Sequence, residues 1–429
     1  MDLETFNWLL TDAGQALLAE AQSGDLSEPA RLRELTRLRR LAPPERSAAA
    51  YQIAQLRARA ATKFSLAGKL YFTREALEQA SGELIAAHRA ERYRSYATIA
   101  DLCCGAGADT MALARIAPVV AVDRDPLRLA MAAANLRACG LADRVSFIQA
   151  DLEQTPAPDA EALFFDPARR SGGRRIFALE AYQPPVSLVR HWRARTPAIG
   201  VKVAPGVTDE ELAALAVGEV EFISIDGELK EAVLWFGPLA SPGRRATILT
   251  TDHRPPTTDQ ESRTENRRVT SAGDDTRHAT RDTQRTSTFS ILNSQFSIQA
   301  PLSLPAVYLY EPDPAILRAR LVAALAEQLG AAQLDREIAY LTSEQAVATP
   351  FARCWRVLEW LPFGLKRLRA RLRALNAGAV TVKKRGSPLD TDSLARQLSG
   401  QGPRPLVVVL TQVQGKPVAL ICEGPVREL

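Results

Sequence analysis

The chain is short of histidine, cysteine and long apolar runs, and each shortage removes a class of chemistry. Only four histidines, His88, His191, His253 and His278, are spread over 429 residues. No His or Cys pair has zinc-ligand spacing, so we expect no metal site, and His-based nucleophile chemistry loses most of its candidates. The five cysteines, Cys103, Cys104, Cys139, Cys354 and Cys422, are odd in number, which suits reduced thiols in a cytoplasmic protein better than a disulfide framework. No stretch approaches the roughly 20 apolar residues that span a bilayer, and the opening MDLETFNWLL is acidic where a secretory signal would be basic. We therefore expect no membrane partner.

What remains is ordinary globular composition, 46% hydrophobic and 24% charged, long enough for two or three domains of roughly 100 to 200 residues. Residues 1–95 read as a helical N-terminal region, with apolar residues at three- and four-residue spacing in ARLRELTRLRRL and SAAAYQIAQLRARAATKF, separated by Pro43 and Pro44. Over 96–240 short apolar runs (YATIAD, PVVAVD, VSFIQA, EALFFD, AIGVKV, VEFISI, EAVLWF) alternate with helical segments. That alternation predicts an α/β fold, a Rossmann-like, mostly parallel sheet covered on both faces.

The pattern breaks over 241–300. Sixteen Ser or Thr fall between 251 and 300, and Val269 and Phe289 are the large apolar residues between 251 and 290, so a disordered linker or insertion is expected. Residues 301–349 resume as a strand-helix connecting segment of ferredoxin-like pattern, its helix capped by Asp313, opened by Pro314 and ended by Gly330. Residues 350–429 suggest a small α/β module: a helix with Leu365, Leu368, Leu372 and Leu375 on one face, then VTVKKRG, a helix near 391–399, and two strands around Gly415.

Positive charge collects in that last unit. Residues 351–429 hold fourteen Lys or Arg and five Asp or Glu, a net +9 in a chain of +5, which leaves −4 for the rest. A basic appendage on a mildly acidic body fits a nucleic-acid contact. Lys366, Arg367 and Arg371 equally suit the solvated face of an amphipathic helix, but Lys383, Lys384 and Arg385 directly follow a strand and add to them.

The strongest chemical signal is IADLCCGAGADTMALA, residues 99–114, in which a strand ends at Asp101 and Gly105 and Gly107 form a tight loop opening a helix. A dinucleotide fingerprint would need a third glycine where Thr110 stands. An S-adenosylmethionine loop, acid-x-Gly-x-Gly-x-Gly, is matched except that Cys103 replaces its first glycine. The next strand ends at Asp123, eighteen residues after Gly105, where a carboxylate meets ribose hydroxyls. A third ends at Asp151. Asp125 alone reads as well as a helix cap.

On these motifs residues 70–240 resemble a class I S-adenosylmethionine-dependent methyltransferase. The segment FTREALEQASGELIAAHRAER with DLCCGAGADT also resembles trimethylguanosine synthase and its bacterial relatives, and residues 350–425 resemble a THUMP-like domain. The resemblance implies S-adenosylmethionine as cofactor, with Asp101, Cys103, Gly105 and Gly107 around its methionine end, Asp123 on the ribose, Asp151 near the adenine, and Phe72 and Thr73 closing the site. It also implies RNA as partner.

In that family the fourth strand faces the transferable methyl, and here it delivers FFDPARRSGGRR. Asp166 and Pro167 match the acid and first proline of amine-methylating relatives, whereas Ala168 and Arg169 stand where a second proline and an aromatic would be. Asp166 is expected to hold the acceptor, Arg169, Arg170 and Arg174 to bind substrate phosphate, and Lys202, within an apolar strand, to line the pocket or reach water. The rival readings are a small-molecule or protein methyltransferase, and a non-catalytic RNA-binding protein built on this scaffold.

Overall fold

The computed structural model describes residues 1–171, 174–175, 178–251, 286–293, 299–385 and 390–425. Four helices, α1 (Leu3–Leu9), α2 (Asp12–Ser23), α3 (Arg31–Leu38) and α4 (Pro44–Ala60), begin the chain. Asp2 and Thr11 cap the first two by accepting from backbone N–H groups, and Pro44 lies in the first turn of α4, where a missing N–H leaves no bond broken. Pro44 thus starts a helix as well as ending the previous segment. Helices α5 (Arg74–Gln79) and α6 (Glu83–Ala90) lead into β1 (Ile99–Leu102).

Strands and helices then alternate through α7 (Ala108–Ile116), β2 (Val119–Asp123), α8 (Pro126–Ala138), β3 (Val145–Gln149), β4 (Ala162–Phe165), a short hairpin of β5 (Arg170–Ser171) and β6 (Arg174–Arg175), α9 (Val189–Trp192), β7 (Ala198–Val203), α10 (Asp209–Ala214), β8 (Glu219–Ile225) and β9 (Glu228–Phe236). These strands, the hairpin apart, join β10 (Gly243–Thr251) and β11 (Thr286–Asn293) in one sheet of order β11-β10-β8-β9-β7-β4-β1-β2-β3. β1 to β4 and β7 run parallel, while β9 inserts antiparallel between β7 and β8. Leu102 lies beside both Val122 and Phe165, so β1, β2 and β4 present their carboxyl ends together.

The region 241–300, expected to be a linker, contributes strands. β10 runs parallel to β8 and β11 antiparallel to β10, which extends the sheet by two. Phe289 and Ile291 supply part of β11, and the remainder of the expected linker, 252–285 and 294–298, lies outside the described residues.

The last third begins with β12 (Tyr308–Pro312), α11 (Pro314–Arg318) and α12 (Val322–Leu329). Asp313 caps α11 through Ala315 N at 2.8 Å and Gly330 ends α12 at φ +58°, but a left-handed Arg320 at φ +60° divides the one expected helix into two. There follow β13 (Ala332–Gln333), β14 (Leu341–Ser343), β15 (Ala352–Pro362), α13 (Leu365–Ala374), β16 (Ala377–Lys384), α14 (Thr391–Leu398), β17 (Arg404–Val413) and β18 (Lys416–Pro425). Their sheet has the order β13-β14-β12-β15-β18-β17-β16, so the connecting segment and the C-terminal module share one sheet.

Two cores sandwich the large sheet. One joins Phe6, Leu18 and Ile53 of the N-terminal helices to Met111, Phe164 and Trp235, so those helices cover a face of the sheet. The other joins Leu102, Phe165 and Ile199 to Ile316 and Leu325 of α11 and α12. All five cysteines are unbridged, and no helix among the described residues is long and apolar enough to cross a membrane.

The first core also buries charge. Glu221, fully buried on β8, accepts from Trp235 Nε1 at 2.9 Å, Thr247 Oγ1 at 2.5 Å and Arg92 at 3.2 Å, and meets His88 Nε2 at 2.8 Å. Burial alone would raise its carboxyl, yet His88, Arg92 and Thr247 hold it from an ordinary 4.5 down to about 2. A depressed acid contributes stability at neutral pH that is lost as pH falls from 4.5 toward 2. Replacing Glu221→Ala strips Trp235, Thr247 and His88 of their shared acceptor while Arg92 keeps Glu219, and urea denaturation should show a loss of about 3 kcal/mol.

Candidate active site

A cleft of about 270 Å³ opens at the carboxyl ends of β1, β2 and β4, with α5 as its outer wall. After β1 the backbone turns through three left-handed residues, Cys103 (φ +64°), Gly105 (φ +55°) and Gly107 (φ +80°). A side chain at Gly105 would project into open space on the cleft wall. At Gly107 a Cβ would stand 3.1 Å from both Ala132 Cβ and Leu136 Cδ2, so this glycine lets α7 lie against α8.

Asp123 fastens the loop from the end of β2. Its Oδ2 accepts from Gly105 N at 2.8 Å and its Oδ1 from Asp125 N at 2.9 Å. Each carboxylate oxygen keeps a second acceptor position, and Asp123 lines the cleft. Asp125 caps α8 through Leu127 N at 2.9 Å, and Asp151, also on the wall, accepts from Glu153 N at 3.0 Å.

Asp101 lies beneath the loop with no exposed surface and is not part of the cleft wall. Thr110 Oγ1 donates to its Oδ2 at 2.5 Å, while Oδ1 accepts no hydrogen bond among the described residues. Burial first, and then the charge of Asp109, push its carboxyl up to about 8, so it holds a proton at neutral pH. Thr73 likewise stands off the wall, capping α5 through Ala76 N at 3.0 Å, whereas its neighbour Phe72 lines it.

Asp166 sits one residue beyond β4 on the cleft floor. Because Phe165 pairs with Val201, Lys202 of β7 falls beside it, with Nζ 2.6 Å from Asp166 Oδ2. The same Nζ donates to Gln79 O of α5 at 3.1 Å, and Lys202 is 2% exposed. Lys202 therefore neither reaches water nor lines the pocket directly; it anchors the carboxylate that does. Burial raises the Asp166 carboxyl, and Lys202 opposes that rise. Pro167 is buried next to it, and Ala168 exchanges backbone hydrogen bonds with Gln183, also on the wall. Arg169 is partly exposed beyond, and Arg170 and Arg174 belong to the β5–β6 hairpin.

Lys383 and Arg385, expected to add to a nucleic-acid contact, both lie against Glu311. Lys383 donates to Glu311 Oε2 at 2.5 Å over the Trp355 ring, and Arg385 lies 3.8 Å from Glu311 Oε1 above Tyr340. Glu311 on β12 draws them in, a partner that sequence inspection could not supply. Lys384 between them is exposed.

Sequence reasoning missed Glu75 and Gln79, which place α5 on the cleft wall, and Asp109, which lines it and is ion-paired to Arg89. Six residues of helix are too few for a periodicity signal, and Asp109 was visible only as part of a helix start.

A sheet of this strand order, with a glycine cradle and acids at successive strand ends, defines an α/β enzyme of the methyltransferase type. Matching profiles agree: a methyltransferase domain over residues 99–165, a THUMP domain-like unit over 352–424 and a domain of unknown function over 2–60. An uncharacterized S-adenosylmethionine-dependent methyltransferase of Mycobacterium tuberculosis, present in two strains, is 36% identical over 347 residues, covering 80% of this chain and 84% of that one. The chain belongs to the S-adenosylmethionine-dependent methyltransferases, and its cofactor is S-adenosylmethionine. In fold it is similar to a methyltransferase structure from Porphyromonas gingivalis W83, at TM-score 0.67 and 21% identity over 98% of this chain and 97% of that one.

Cys103 stands in the cradle at a backbone angle that costs a non-glycine residue about 1–2 kcal/mol. Burial also holds its thiol well above the ordinary 9, so it forms no thiolate at neutral pH. Cys103→Gly should leave methyl transfer intact and raise stability by up to about 1 kcal/mol in denaturant melts.

Proposed function

We propose that this methyltransferase modifies RNA, with Asp166 holding the acceptor group. The observation that carries the reading is the cationic face of α13 within the THUMP domain-like unit. Lys366, Arg367 and Arg373 are exposed and have no partner among the described residues, and Arg396 of α14 is exposed nearby in the same unit. Planar guanidinium forks suit phosphate oxygens, and such contacts weaken steeply with salt.

The residues fit the cofactor. The lone pairs left on Asp123 suit ribose hydroxyls, the open space at Gly105 suits close backbone approach by the methionine end, and Asp151, also on the cleft wall, is our candidate for the adenine, with Phe72 lining the same cleft. Asp101, Gly107 and Thr73 serve by shaping the loop and α5. The bound cofactor supplies a methyl already activated on a sulfonium, so the protein's task is to position a nucleophile in line. Lys202 occupies Asp166 Oδ2, and Oδ1, which has no partner among the described residues, is left to accept hydrogen from an acceptor N–H or O–H. The raised Asp166 carboxyl is suited to taking that proton, with Pro167 rigid beside it, and Arg169, Arg170 and Arg174 follow it in the chain as donors for a flanking phosphate. Ala168 and Arg169 offer no ring, which favours an acceptor gripped by its hydrogen-bonding edge over the stacked guanine of a trimethylguanosine synthase.

Incubation with methyl-labelled S-adenosylmethionine and, separately, unmodified total RNA, a protein extract and a metabolite extract tests the reading. Label should enter RNA alone and vanish in Asp166→Ala; label confined to protein or metabolites would overturn it. In calorimetry Asp123→Ala should weaken cofactor binding by about 1–3 kcal/mol, because buried hydroxyls lose their acceptor. Unchanged affinity would refute the ribose assignment.

A further inference from the structure

Residues 30–69 contain ten Lys or Arg and two Asp or Glu, a net +8 inside a body whose sum outside the C-terminal module is negative. The folded chain gathers part of this charge around a groove of about 500 Å³ between α3, α4 and α5. Arg31, Arg59 and Arg74 stand on its walls over a floor that includes Leu35 and Leu56. Glu28, also on the wall, pairs with Arg31 at 3.3 Å, and Arg74 pairs with Glu78 at the same distance. The Arg59 guanidinium, exposed, has no partner among the described residues. On α3 and just beyond it, Arg39 and Arg40 are exposed with no partner among the described residues, and Leu32 and Leu41 are 73% and 63% exposed.

Position gives the groove its meaning. Helix α5 is a wall shared with the active-site cleft, because Arg74 faces the groove while Glu75, Ala76 and Gln79 line the cleft. We infer that this groove is a second RNA site, which holds the phosphates of a single-stranded segment flanking the nucleotide to be methylated. The inference rests on the RNA reading above and assigns a role to the N-terminal helices. Arginine forks on the walls take phosphate oxygens, and the leucine floor with the exposed Leu32 offers apolar surface to unpaired bases. A surface that pairs cations with apolar contacts matches a single strand, whose bases are accessible, better than a duplex, whose bases are stacked inside. With α13 gripping RNA elsewhere, two separated cationic surfaces bind one strand with an affinity neither reaches alone.

Fluorescence anisotropy of the full chain with a labelled single-stranded RNA of mixed sequence, across a salt series, tests this. Arg59→Glu should weaken binding about fivefold or more, adding Arg31→Glu should reach about tenfold, and the double variant should flatten the salt slope by about 1.4, at about 0.7 per lost phosphate contact. Arg59→Lys should retain binding, and calorimetry should show unchanged cofactor affinity in all three. A thiouridine-containing probe should photocrosslink to peptides from α3 and α4. If the double variant binds with parental affinity and slope while Arg367→Glu with Arg373→Glu abolishes binding, the groove has no such role and the RNA reading stands. If the parent itself does not bind RNA, both fall.

Discussion

Arg89 is 1% exposed, and a guanidinium so deep is tolerated only with its charge matched. It bonds Asp109, in the first turn of α7 just past the glycine loop, and Glu231 on the antiparallel strand β9, and it lies 5.1 Å over the Phe164 ring. One side chain from α6 thus ties the N-terminal helices to the cofactor loop and to the far half of the sheet. Arg92 in the following turn reaches Glu219 at 2.6 Å, and His88, immediately before Arg89, meets Glu221. Detaching the helices would strand several buried carboxylates, so they are part of the catalytic body despite reading as a separate region.

The cleft is built on the same frame. The left-handed loop exposes Gly105 to the cleft while Asp123 holds its N–H from the neighbouring strand. Across the cleft floor Lys202 holds Asp166 and also the backbone of Gln79, so the acceptor carboxylate and the outer wall share one anchor. An unpaired lysine in an all-buried strand would be intolerable, and an unpaired Asp166 would have no fixed direction. Each makes the other affordable, and both depend on the register of β4 against β7.

The C-terminal half shows where linear reading fails. LVVVLTQV and PVALICE form the expected strand pair around the Gly415 turn, since a continuous apolar run bounded by a left-handed glycine has few other solutions. The pairing of Lys383 was not legible in its run of charge, because charge density in a sequence says nothing of carboxylates brought from 72 residues away, as Glu311 is. Conversely, α3 and α4 carry a cationic groove hidden from a charge total that averaged them with the acids of the Rossmann-like body. β11 escaped notice because a Thr- and Ser-rich edge strand buries little apolar surface and is largely exposed, and β10, although it buries Ala246, Ile248 and Leu249, runs straight into the same Thr-rich stretch.

By itself the sequence determined the α/β class, the succession of strands from β1 to β4 and β7 to β9, the glycine loop with its acids at strand ends, and membership of the methyltransferase family. Those follow from local rules: period, capping, and the few backbones that glycine allows. Only the tertiary structure decided which acids face the cleft and which lie beneath the loop, that Lys202 serves Asp166, and that Arg89 joins the N-terminal helices to the loop. Which cations remain in solvent was settled there too. The physical reason is common to all of these: the energy of a charge depends on its burial and on partners distant in the chain, and neither is a property of its neighbours in sequence.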